Sequence, residues 1–357
     1  MIIERIVKEL WRTMVSDVGS AKNRSAIRVI AAYSGGLDSI LAAVFMQKLG
    51  FDVLLLHVQH LFSANAAGRQ RLREAAGRAG LPLLIEDASE QHLETIRHPK
   101  HGYGQGMNPC IDCRIFMLRI ARRVMEENGA AFVVTGEVLG QRPKSQHYKA
   151  LLQAAEESGL GSRLVRPLCA QLLPETFPVT EGWIKQSDLL AIQGRTRGEQ
   201  MRLAASYGVS DYPQPAGGCV LIEKAYANRV RDAFSHLGKD VVGLTQFRLF
   251  GLGRHLRMDE DVKVIVGRNF EENEQLVTLA EGRVRIDPVD VMGPTTLVEG
   301  NPSEEQLLVI CSLAARYCDG EPDGEIRLRV ASQDDERIVR VLPMAKDDPR
   351  ILEWRID

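Results

Sequence analysis

The chain has 357 residues, which favours two domains if a typical domain has about 150. Its 45 lysines and arginines nearly balance its 47 aspartates and glutamates. The formal net charge of −2 excludes a histone-like or wholly polybasic protein but still allows a local basic surface. A hydrophobic content of 45% and a charged content of 26% exclude a disordered or collagen-like chain.

Targeting signals are not evident in the sequence. No run approaches 18 apolar residues, so we expect no transmembrane helix and no membrane partner. The N-terminal stretch carries charges within its apolar part and has no cleavage motif, so it does not read as a signal peptide. We therefore expect a cytoplasmic protein. Six cysteines are too few for a disulfide scaffold in a chain of this length and are predicted to be free, metal-bound or catalytic.

The first part of the chain alternates between two patterns. An amphipathic helix is predicted over residues 2–14, followed by a polar linker. Short apolar runs typical of buried strands then alternate with helical segments, the runs at 28–33, 51–60, 81–88 and 130–136 and the helices at 40–50, 69–79 and 114–128. This alternation predicts an α/β domain with a parallel sheet, a Rossmann-like arrangement that binds ligands beyond the carboxyl ends of its strands.

The pattern changes near residue 240. Strand-like segments are predicted at 248–258, 262–267, 283–298 and 326–331, with one helix over 303–318. Ser303 and Gln306 have the spacing of a capping box at the start of that helix. We therefore predict an N-terminal helix and linker over 1–27, an α/β domain over 28–240 and a smaller α+β domain over 241–357.

The loop Ser34-Gly35-Gly36-Leu37-Asp38-Ser39 lies between the first predicted strand and its helix. Its two glycines let backbone amides approach an anion, and the helix N-terminus adds a positive dipole end. A pyrophosphate fits such a loop, and Asp38 is suited to orienting it or holding Mg²⁺. The loop lacks the P-loop pattern, and an ordinary capped turn is the simpler alternative.

Three cysteines lie in settings that suggest chemistry. Cys110 and Cys113 precede a predicted helix, whose N-terminus favours the thiolate, and Cys219 follows the glycine-containing segment Pro215-Ala216-Gly217-Gly218. A zinc site, a redox pair that carries a persulfide, and a 4Fe–4S cluster with three protein thiolates all remain open. Cys169, Cys311 and Cys318 lie in apolar or helical settings and are expected to be structural.

These motifs together resemble the PP-loop ATP pyrophosphatases that thiolate tRNA, above all the ATPase domain of the tRNA 4-thiouridine synthases. The resemblance covers roughly residues 28–225. It rests on the loop at 34–39, on Gly106–Cys113, on Thr135–Gln146, on Arg166-Pro167-Leu168 and on Gly217-Gly218-Cys219. It implies an adenine nucleotide alpha hydrolase-like fold that uses ATP and Mg²⁺.

The resemblance also implies roles for individual residues. ATP is expected to bind at Ser34, Gly35, Gly36, Leu37, Asp38, Ser39, His57, Gly136 and Glu137, with Gln141, Ser145 and Gln146 lining the catalytic cleft. Asp38, Cys110, Cys113 and Cys219 are the expected catalytic residues, and the three cysteines are the expected cluster ligands. We expect neither the THUMP module nor the rhodanese domain of full-length 4-thiouridine synthases, and the lack of the latter favours the cluster.

Residues 245–357 are instead similar to the RNA-binding domain of the NFACT family, on the strength of Gly253–Arg257 and Lys263–Asn269. Binding of RNA requires cations that neutralise its phosphates. The expected contacts are Arg254, Arg257, Lys263 and Arg268, with Arg248 and His255 nearby and a second basic group at Lys185, Arg195 and Arg197. An ordinary solvated surface is the alternative.

The resulting hypothesis is an ATP-dependent tRNA sulfurtransferase. It adenylates a uridine carbonyl and replaces the oxygen with sulfur, giving 4-thiouridine, with sulfide carried by the cluster. The alternatives are a cysteine-persulfide 2-thiouridine synthase, a PP-loop ligase without sulfur chemistry, and an RNA-binding protein without catalysis. The expected partners are tRNA and a source of sulfide or persulfide such as a cysteine desulfurase. A homodimer stays open.

Overall fold

The computed structural model describes residues 24–63, 66–210, 212, 219–321, 324–333 and 335–357. The helix predicted at 2–14 and the segment Pro215–Gly218 lie outside these residues. The chain divides into two compact units, one of residues 1–104 and 109–218 and the other of residues 105–108 and 219–357. The units thus divide near residue 218, whereas the sequence places the domain boundary at 240–241.

The first unit contains a parallel sheet, as predicted, but with five strands rather than the four that the sequence indicates, in the order β3-β2-β1-β4-β5. Its elements in chain order are β1 (Arg28–Ala32), α1 (Leu37–Lys48), β2 (Asp52–Gln59), α2 (Ala66–Arg78), β3 (Leu83–Asp87), α3 (Ser89–Arg97), α4 (Cys110–Glu127), β4 (Phe132–Val134), α5 (Tyr148–Glu157), β5 (Leu164–Val165), α6 (Phe177–Thr180) and α7 (Gly198–Tyr207).

Helices cover both faces of this sheet, which explains why its strands read as unbroken apolar runs. On one face Val29 and Leu55 pack into a core with Leu41 of α1. On the other face Ile30 packs into a second core with Leu118 of α4. Because the strands are parallel, the loops that follow β1, β2 and β4 meet at one edge of the sheet.

The second unit contains a six-stranded antiparallel sheet in the order β11-β10-β8-β9-β7-β6. Its elements are α8 (Lys224–His236), α9 (Leu244–Leu249), β6 (Arg254–Arg257), β7 (Lys263–Val266), α10 (Phe270–Thr278), β8 (Val284–Pro288), β9 (Thr296–Glu299), α11 (Glu304–Ala315), β10 (Ile326–Ala331), β11 (Glu336–Val341) and α12 (Arg350–Trp354). The α+β class of this domain is confirmed.

Local patterns in the second unit were predicted with mixed success. The capping box is confirmed, since the Ser303 hydroxyl accepts from the Gln306 amide and the Gln306 side chain accepts from the Ser303 amide. The start of the strand predicted at 248–258 is wrong, because α9 extends to Leu249. Helix α10 was not predicted, although Asn269 caps it by accepting from the Glu272 amide.

One face of the antiparallel sheet packs against α11. Ile326, Leu328 and Val330 are buried, while Arg327 and Arg329 between them are exposed, as expected for a strand with one face toward the core. Ile310 and Leu313 of α11 complete the core. Among the described residues, no helix combines the length and apolar character that a membrane span requires.

Candidate active site

A cavity of about 380 Å³ lies in the first unit where the loops after β1, β2 and β4 meet. Its volume is within the range of ligand pockets, roughly 300–1,000 Å³. Nine of the residues expected to bind ATP or to form the cleft line it: Ser34, Gly36, Asp38, Ser39, His57, Gly136, Glu137, Gln141 and Gln146. Four arginine or histidine side chains that were not expected there also line it: His60, Arg114, Arg142 and Arg197.

The loop after β1 is closed by its own serines. The Ser34 hydroxyl donates to Ser39 Oγ at 3.2 Å, and Ser39 Oγ donates to the Gly36 carbonyl at 2.8 Å. Gly36 is the N-cap of α1 and offers no side chain to its first turn, so the amides at that helix end remain suited to an anion. Leu37 is 1% exposed, packs into the core and is not part of the cavity lining.

Two glycines are required by the backbone around this loop. Gly35 has a φ of +83°, a conformation that favours glycine. At Gly136 a Cβ would lie 2.3 Å from the carbonyl carbon and oxygen of Asp38, so only glycine lets the loop after β4 approach the start of α1 so closely. This close contact explains why the Thr135-Gly136-Glu137 motif has a glycine at the position that packs against the Ser34–Ser39 loop.

Asp38 uses only one of its carboxylate oxygens within the protein. Oδ2 accepts from Gln141 Nε2 at 3.0 Å and lies 3.5 Å from Arg197 Nη2. Oδ1 is buried and has no hydrogen-bond partner among the described residues. Since Asp38 lines the cavity, Oδ1 is available to a cation that enters with a nucleotide.

Glu137 lines the cavity but is already paired. It is 2% exposed, with Oε1 lying 3.1 Å from Arg114 Nε and Oε2 lying 2.9 Å from Arg166 Nε. Burial alone would raise the pKa of Glu137, but Arg114 and Arg166 outweigh it and hold that pKa below its usual value. Glu137 thus fixes the loop after β4 to α4 rather than offering a free carboxylate.

The predicted cleft residues are buried beside the same loop. Gln141 lines the cavity through its contact with Asp38, and Gln146, 4% exposed, lines it with an Oε1 that has no partner among the described residues. Ser145 is 8% exposed and is not part of the lining. Gly140 donates its amide to the Gln146 carbonyl at 2.7 Å, which holds the loop closed.

His57 presents a lone pair to the cavity. Its Nδ1 lies 2.9 Å from the Tyr33 carbonyl, which can only accept, so Nδ1 carries the proton. Burial lowers the pKa of His57, and the ring is therefore neutral. Its Nε2 is buried without a partner among the described residues, so it can accept a hydrogen bond from a ligand.

Cys110 and Cys113 occupy the first turn of α4, and both are partly exposed. Cys113 Sγ lies 3.2 Å from Nε2 of His92, a fully buried residue of α3. His92 was not predicted, because it lies 21 positions before Cys113 in the sequence and no local pattern records a contact at that separation. Cys169 is fully buried, and burial raises the pKa of its thiol to about 11, which agrees with a structural cysteine.

Cys219 belongs to the second unit, as do residues 105–108. Within that unit the Met107 amide donates to the Leu221 carbonyl at 2.8 Å, and Arg231 donates to the Gly106 carbonyl at 3.2 Å. The segment that leads into Cys110 is therefore anchored to the segment that leaves Cys219.

The cations expected to bind RNA are mostly paired inside the second unit. Arg257 makes two hydrogen bonds to Asp232, of 2.9 and 2.8 Å, and Arg268 pairs with Glu272. Lys263 is 1% exposed, with its ammonium 3.3 Å from the Asp232 carboxylate, which leaves it without access to a phosphate. Arg254 keeps partial exposure, while His255 is 1% exposed and donates inward to backbone carbonyls.

Two family models match separate parts of the chain. The model described as "Thiamine biosynthesis protein (ThiI)" matches residues 25–171, and the model described as "NFACT protein RNA binding domain" matches residues 253–355. The chain resembles the tRNA-thiolating PP-loop enzymes. Its second domain resembles the RNA-binding domain of the NFACT proteins.

Individual relatives are more distant. A tRNA-specific 2-thiouridylase MnmA of Azorhizobium caulinodans is 30% identical over 261 residues, which are 68% of this chain and 62% of that protein. A "Probable tRNA sulfurtransferase" of Thermococcus kodakarensis is 30% identical over 119 residues, 32% of this chain and 30% of that one. The chain thus spans less than two thirds of these relatives.

Solved structures match at lower identity. A 4-thiouridine synthetase in complex with RNA and ATP is 21% identical, with 56% of this chain and 45% of that chain covered and a TM-score of 0.38. The U34-tRNA thiolase NcsA of Methanococcus maripaludis with its [4Fe-4S] cluster is 17% identical. The match covers 70% of this chain and 79% of that chain, with a TM-score of 0.31.

Mg²⁺ and a 4Fe–4S cluster are the two groups that the sequence leads us to expect, and the described residues account for Mg²⁺ more fully than for the cluster. Mg²⁺ is compatible with the site because Asp38 offers a buried carboxylate oxygen that nothing else in the described protein uses. Cys110 and Cys113 belong to the first unit and Cys219 to the second, and no three His, Cys, Asp or Glu side chains of the described residues are grouped as metal ligands. The three-thiolate cluster therefore stays a prediction.

Proposed function

We propose that the chain is an ATP-dependent tRNA sulfurtransferase that activates a uridine carbonyl with ATP and replaces its oxygen with sulfur. One observation carries the proposal: the Ser34–Ser39 loop and the Gly136–Gln146 segment, the two most specific motifs, line one cavity in the first unit. The RNA-binding domain match over residues 253–355 supports an RNA substrate.

The residues of the cavity suggest how activation proceeds. The amides at the start of α1 bind the ATP phosphates, and Asp38 Oδ1 holds Mg²⁺, which supplies charge neutralisation when bound. His57 Nε2 accepts a hydrogen bond from the ligand. A uridine flipped into the cavity attacks the α-phosphorus through its carbonyl oxygen. A P–O bond forms as the bond to pyrophosphate breaks.

The second half-reaction exchanges oxygen for sulfur. A sulfur nucleophile attacks the activated ring carbon, and the C–O bond breaks so that AMP leaves with the oxygen. The nucleophile is sulfide or the outer sulfur of a persulfide on Cys110, Cys113 or Cys219. In the persulfide case a second cysteine thiolate then attacks the sulfur of the first cysteine, so the S–S bond breaks, the thiouridine is released and a disulfide forms. A cysteine desulfurase is the class of enzyme that supplies persulfide sulfur, which a thiol reductant converts to sulfide.

The direct test is nucleoside analysis of tRNA. Unmodified tRNA is incubated with the chain, Mg·ATP and sodium sulfide, then digested and analysed by mass spectrometry for thiouridine. Cys113→Ala is expected to abolish the product, and the matched Cys318→Ala, at a thiol whose pKa burial raises to about 11, is expected to retain it. Absence of any thionucleoside, with a persulfide donor as well as with sulfide, contradicts the proposal.

The same analysis decides the position of the sulfur. We propose 4-thiouridine, in line with the resemblance of residues 28–225 to the tRNA 4-thiouridine synthases. The similarity to 2-thiouridylases favours 2-thiouridine as the second candidate. The two products differ in chromatographic retention and in ultraviolet spectrum, so one digest separates them.

Pyrophosphate release separates the remaining classes. A sulfurtransferase releases pyrophosphate only with tRNA and needs its cysteines for the thiolated product. A PP-loop ligase without sulfur chemistry retains full activity in the Cys110→Ala and Cys113→Ala variants. An RNA-binding protein without catalysis releases no pyrophosphate under any of these conditions.

A further inference from the structure

The two cysteines at the start of α4 have different surroundings. Cys110 is the first residue of the helix, whereas Cys113 lies one turn further, where its amide donates to the Pro109 carbonyl at 2.8 Å. Cys113 Sγ also contacts a side chain of another helix, His92 Nε2 of α3, at 3.2 Å. A side-chain contact across 21 residues holds one sulfur in a defined place.

His92 is held rigidly. It has no exposed surface, and its ring packs against His60, Phe62 and Phe116 with centroid separations of 4.9, 5.9 and 5.2 Å. These ring contacts fix the orientation of the imidazole, so its Nε2 keeps one position relative to the Cys113 sulfur.

The environment of the ring also indicates which nitrogen carries the proton. Nδ1 of His92 is buried without a partner among the described residues. A buried N–H without an acceptor is rarer in proteins than a buried acceptor without a donor. The favoured tautomer therefore has its proton on Nε2, which points the N–H at the Cys113 sulfur. A donor of this kind stabilises an electron-rich sulfur.

The same contacts lead to the cavity. His60, whose ring packs on His92, lines the cavity together with His57 and with Arg114, the residue that follows Cys113. Cys113, His92 and His60 thus form a series of contacts that ends at the wall where the reacting uridine is expected. This arrangement lies wholly within the first unit.

We propose that Cys113 is the cysteine of the pair that bears the reacting sulfur, and that His92 is its positioning residue, donating its Nε2 hydrogen bond to that sulfur. The assignment of a reacting sulfur rests on the proposed sulfurtransferase function, whereas the effect of His92 on the sulfur does not. His92 connects the Cys113 sulfur through the His60 ring to the cavity wall and stabilises that sulfur as an anion, so the two cysteines are not interchangeable.

The test is alkylation of the full chain with iodoacetamide at one fixed pH, followed over time by peptide mass spectrometry. This readout gives separate rates for Cys110 and Cys113 in the same molecule. We expect His92→Phe, which keeps an aromatic ring but has no donor, to slow Cys113 about tenfold, as for loss of a hydrogen bond to a charged group. The rate of Cys110 should change less than about twofold.

Two further variants separate hydrogen bonding from packing. His92→Gln places an amide N–H where Nε2 lies, and we expect it to restore most of the Cys113 rate. Phe62→Leu alters only the packing around the His92 ring and should leave both rates unchanged. If the His92→Phe chain does not fold, His92→Leu replaces it, and thermal unfolding followed by circular dichroism verifies every variant.

Each outcome has one meaning. An unchanged Cys113 rate in folded His92→Phe overturns the proposal, as does an equal fall at Cys110 and Cys113, which signals general loosening of α4. Failure of the Gln variant to restore the rate overturns the donor role. If the alkylation rates of Cys110 and Cys113 change as expected but neither wild-type nor variant protein thiolates tRNA, the sulfurtransferase function is refuted. The effect of His92 on the Cys113 sulfur then still holds.

Discussion

At the scale of the residue, Asp38 divides its carboxylate between the protein and the cavity. Oδ2 is held by Gln141 and Arg197, while Oδ1 is buried and unused within the described chain. A buried acceptor of this kind costs free energy unless a ligand satisfies it. The buried, unpaired Oδ1 of Asp38 therefore favours binding of a cation that arrives with the nucleotide.

Asp38→Asn removes the charge but keeps an acceptor for Gln141. We expect the affinity for ATP in wild-type protein to depend on Mg²⁺ and the variant to lose that dependence, with pyrophosphate release lowered on the order of 10²-fold. Calorimetric titration with ATP, with and without Mg²⁺, checks this. The control is Asp52→Asn, at an exposed ion pair with Arg28. An unchanged dependence on Mg²⁺ in Asp38→Asn would contradict the role assigned to Oδ1.

His60 makes stability depend on pH. Burial, then His57 and Arg114, lower the pKa of His60 from 6.5 to about 4. Between these values the unfolded chain binds a proton that the folded chain does not, so the stabilisation is complete above pH 6.5 and falls as the pH drops. The loss is at most about 1.4 kcal/mol per pH unit.

The corresponding measurement is urea unfolding at pH 7.5 and pH 5.0. Wild-type protein is expected to lose about 2 kcal/mol more than His60→Phe over this range, because the variant has no proton to bind at that position. Phe62→Leu, which leaves His60 in place, should match the wild type in its pH dependence. Equal losses in wild type and His60→Phe would refute the assignment.

At the scale of the element, Gly136 sets how closely the loop after β4 approaches α1. A Cβ at this position would lie 2.3 Å from the Asp38 backbone, so Gly136→Ala must push the two segments apart. We expect a stability loss of about 1–3 kcal/mol and an affinity for ATP reduced about tenfold or more. Thermal unfolding and ATP titration measure the two effects.

The matched control for this substitution is Gly77→Ala. Gly77 lies within α2, and a Cβ there meets no atom within 4 Å. Alanine in a helix interior is favoured over glycine by about 1 kcal/mol, so this variant should be slightly more stable than wild type. Equal behaviour of the two variants would show that the close approach at Gly136 is unimportant.

Elements were predictable from sequence where one local pattern decides them. The apolar runs of β1 and β2 and the capping box of α11 depend on neighbouring residues, and the structure has them where the sequence predicts. Contacts across long sequence separations were not predictable. Arg166 reaches Glu137 across 29 residues and Cys113 reaches His92 across 21, and no periodicity records such pairs.

At the scale of the whole molecule, RNA binding is expected to depend on cations that are exposed rather than on every cation of the basic segments. Lys263 is buried against Asp232, so Lys263→Met should leave the affinity for tRNA within about twofold of wild type. Arg254→Met should weaken binding and lower the slope of log affinity against log salt by about one. Filter binding at several salt concentrations measures both. Weaker binding by folded Lys263→Met would contradict this expectation.

The net charge of −2 could be read from the sequence, but the distribution of usable cations could not. Arg257 and Lys263 both direct their charge at Asp232, a residue of α8 more than twenty positions away. A cluster of lysines and arginines in a sequence gives a basic surface only where carboxylates of the same protein do not pair with them. Of the cations expected to bind RNA in the second unit, Arg248, Arg254 and Arg268 keep exposed surface, whereas Lys263 and His255 are buried.

The chain passes between its two units three times, because residues 105–108 belong with 219–357. The Met107 amide donates a hydrogen bond to the Leu221 carbonyl, and Cys110 lies only three positions after Met107. A truncation after residue 218 would thus remove the unit to which residues 105–108 belong and leave that segment attached to the first turn of α4. Conversely, a displacement of residues 105–108 with the second unit would be passed to Cys110 through a few peptide bonds.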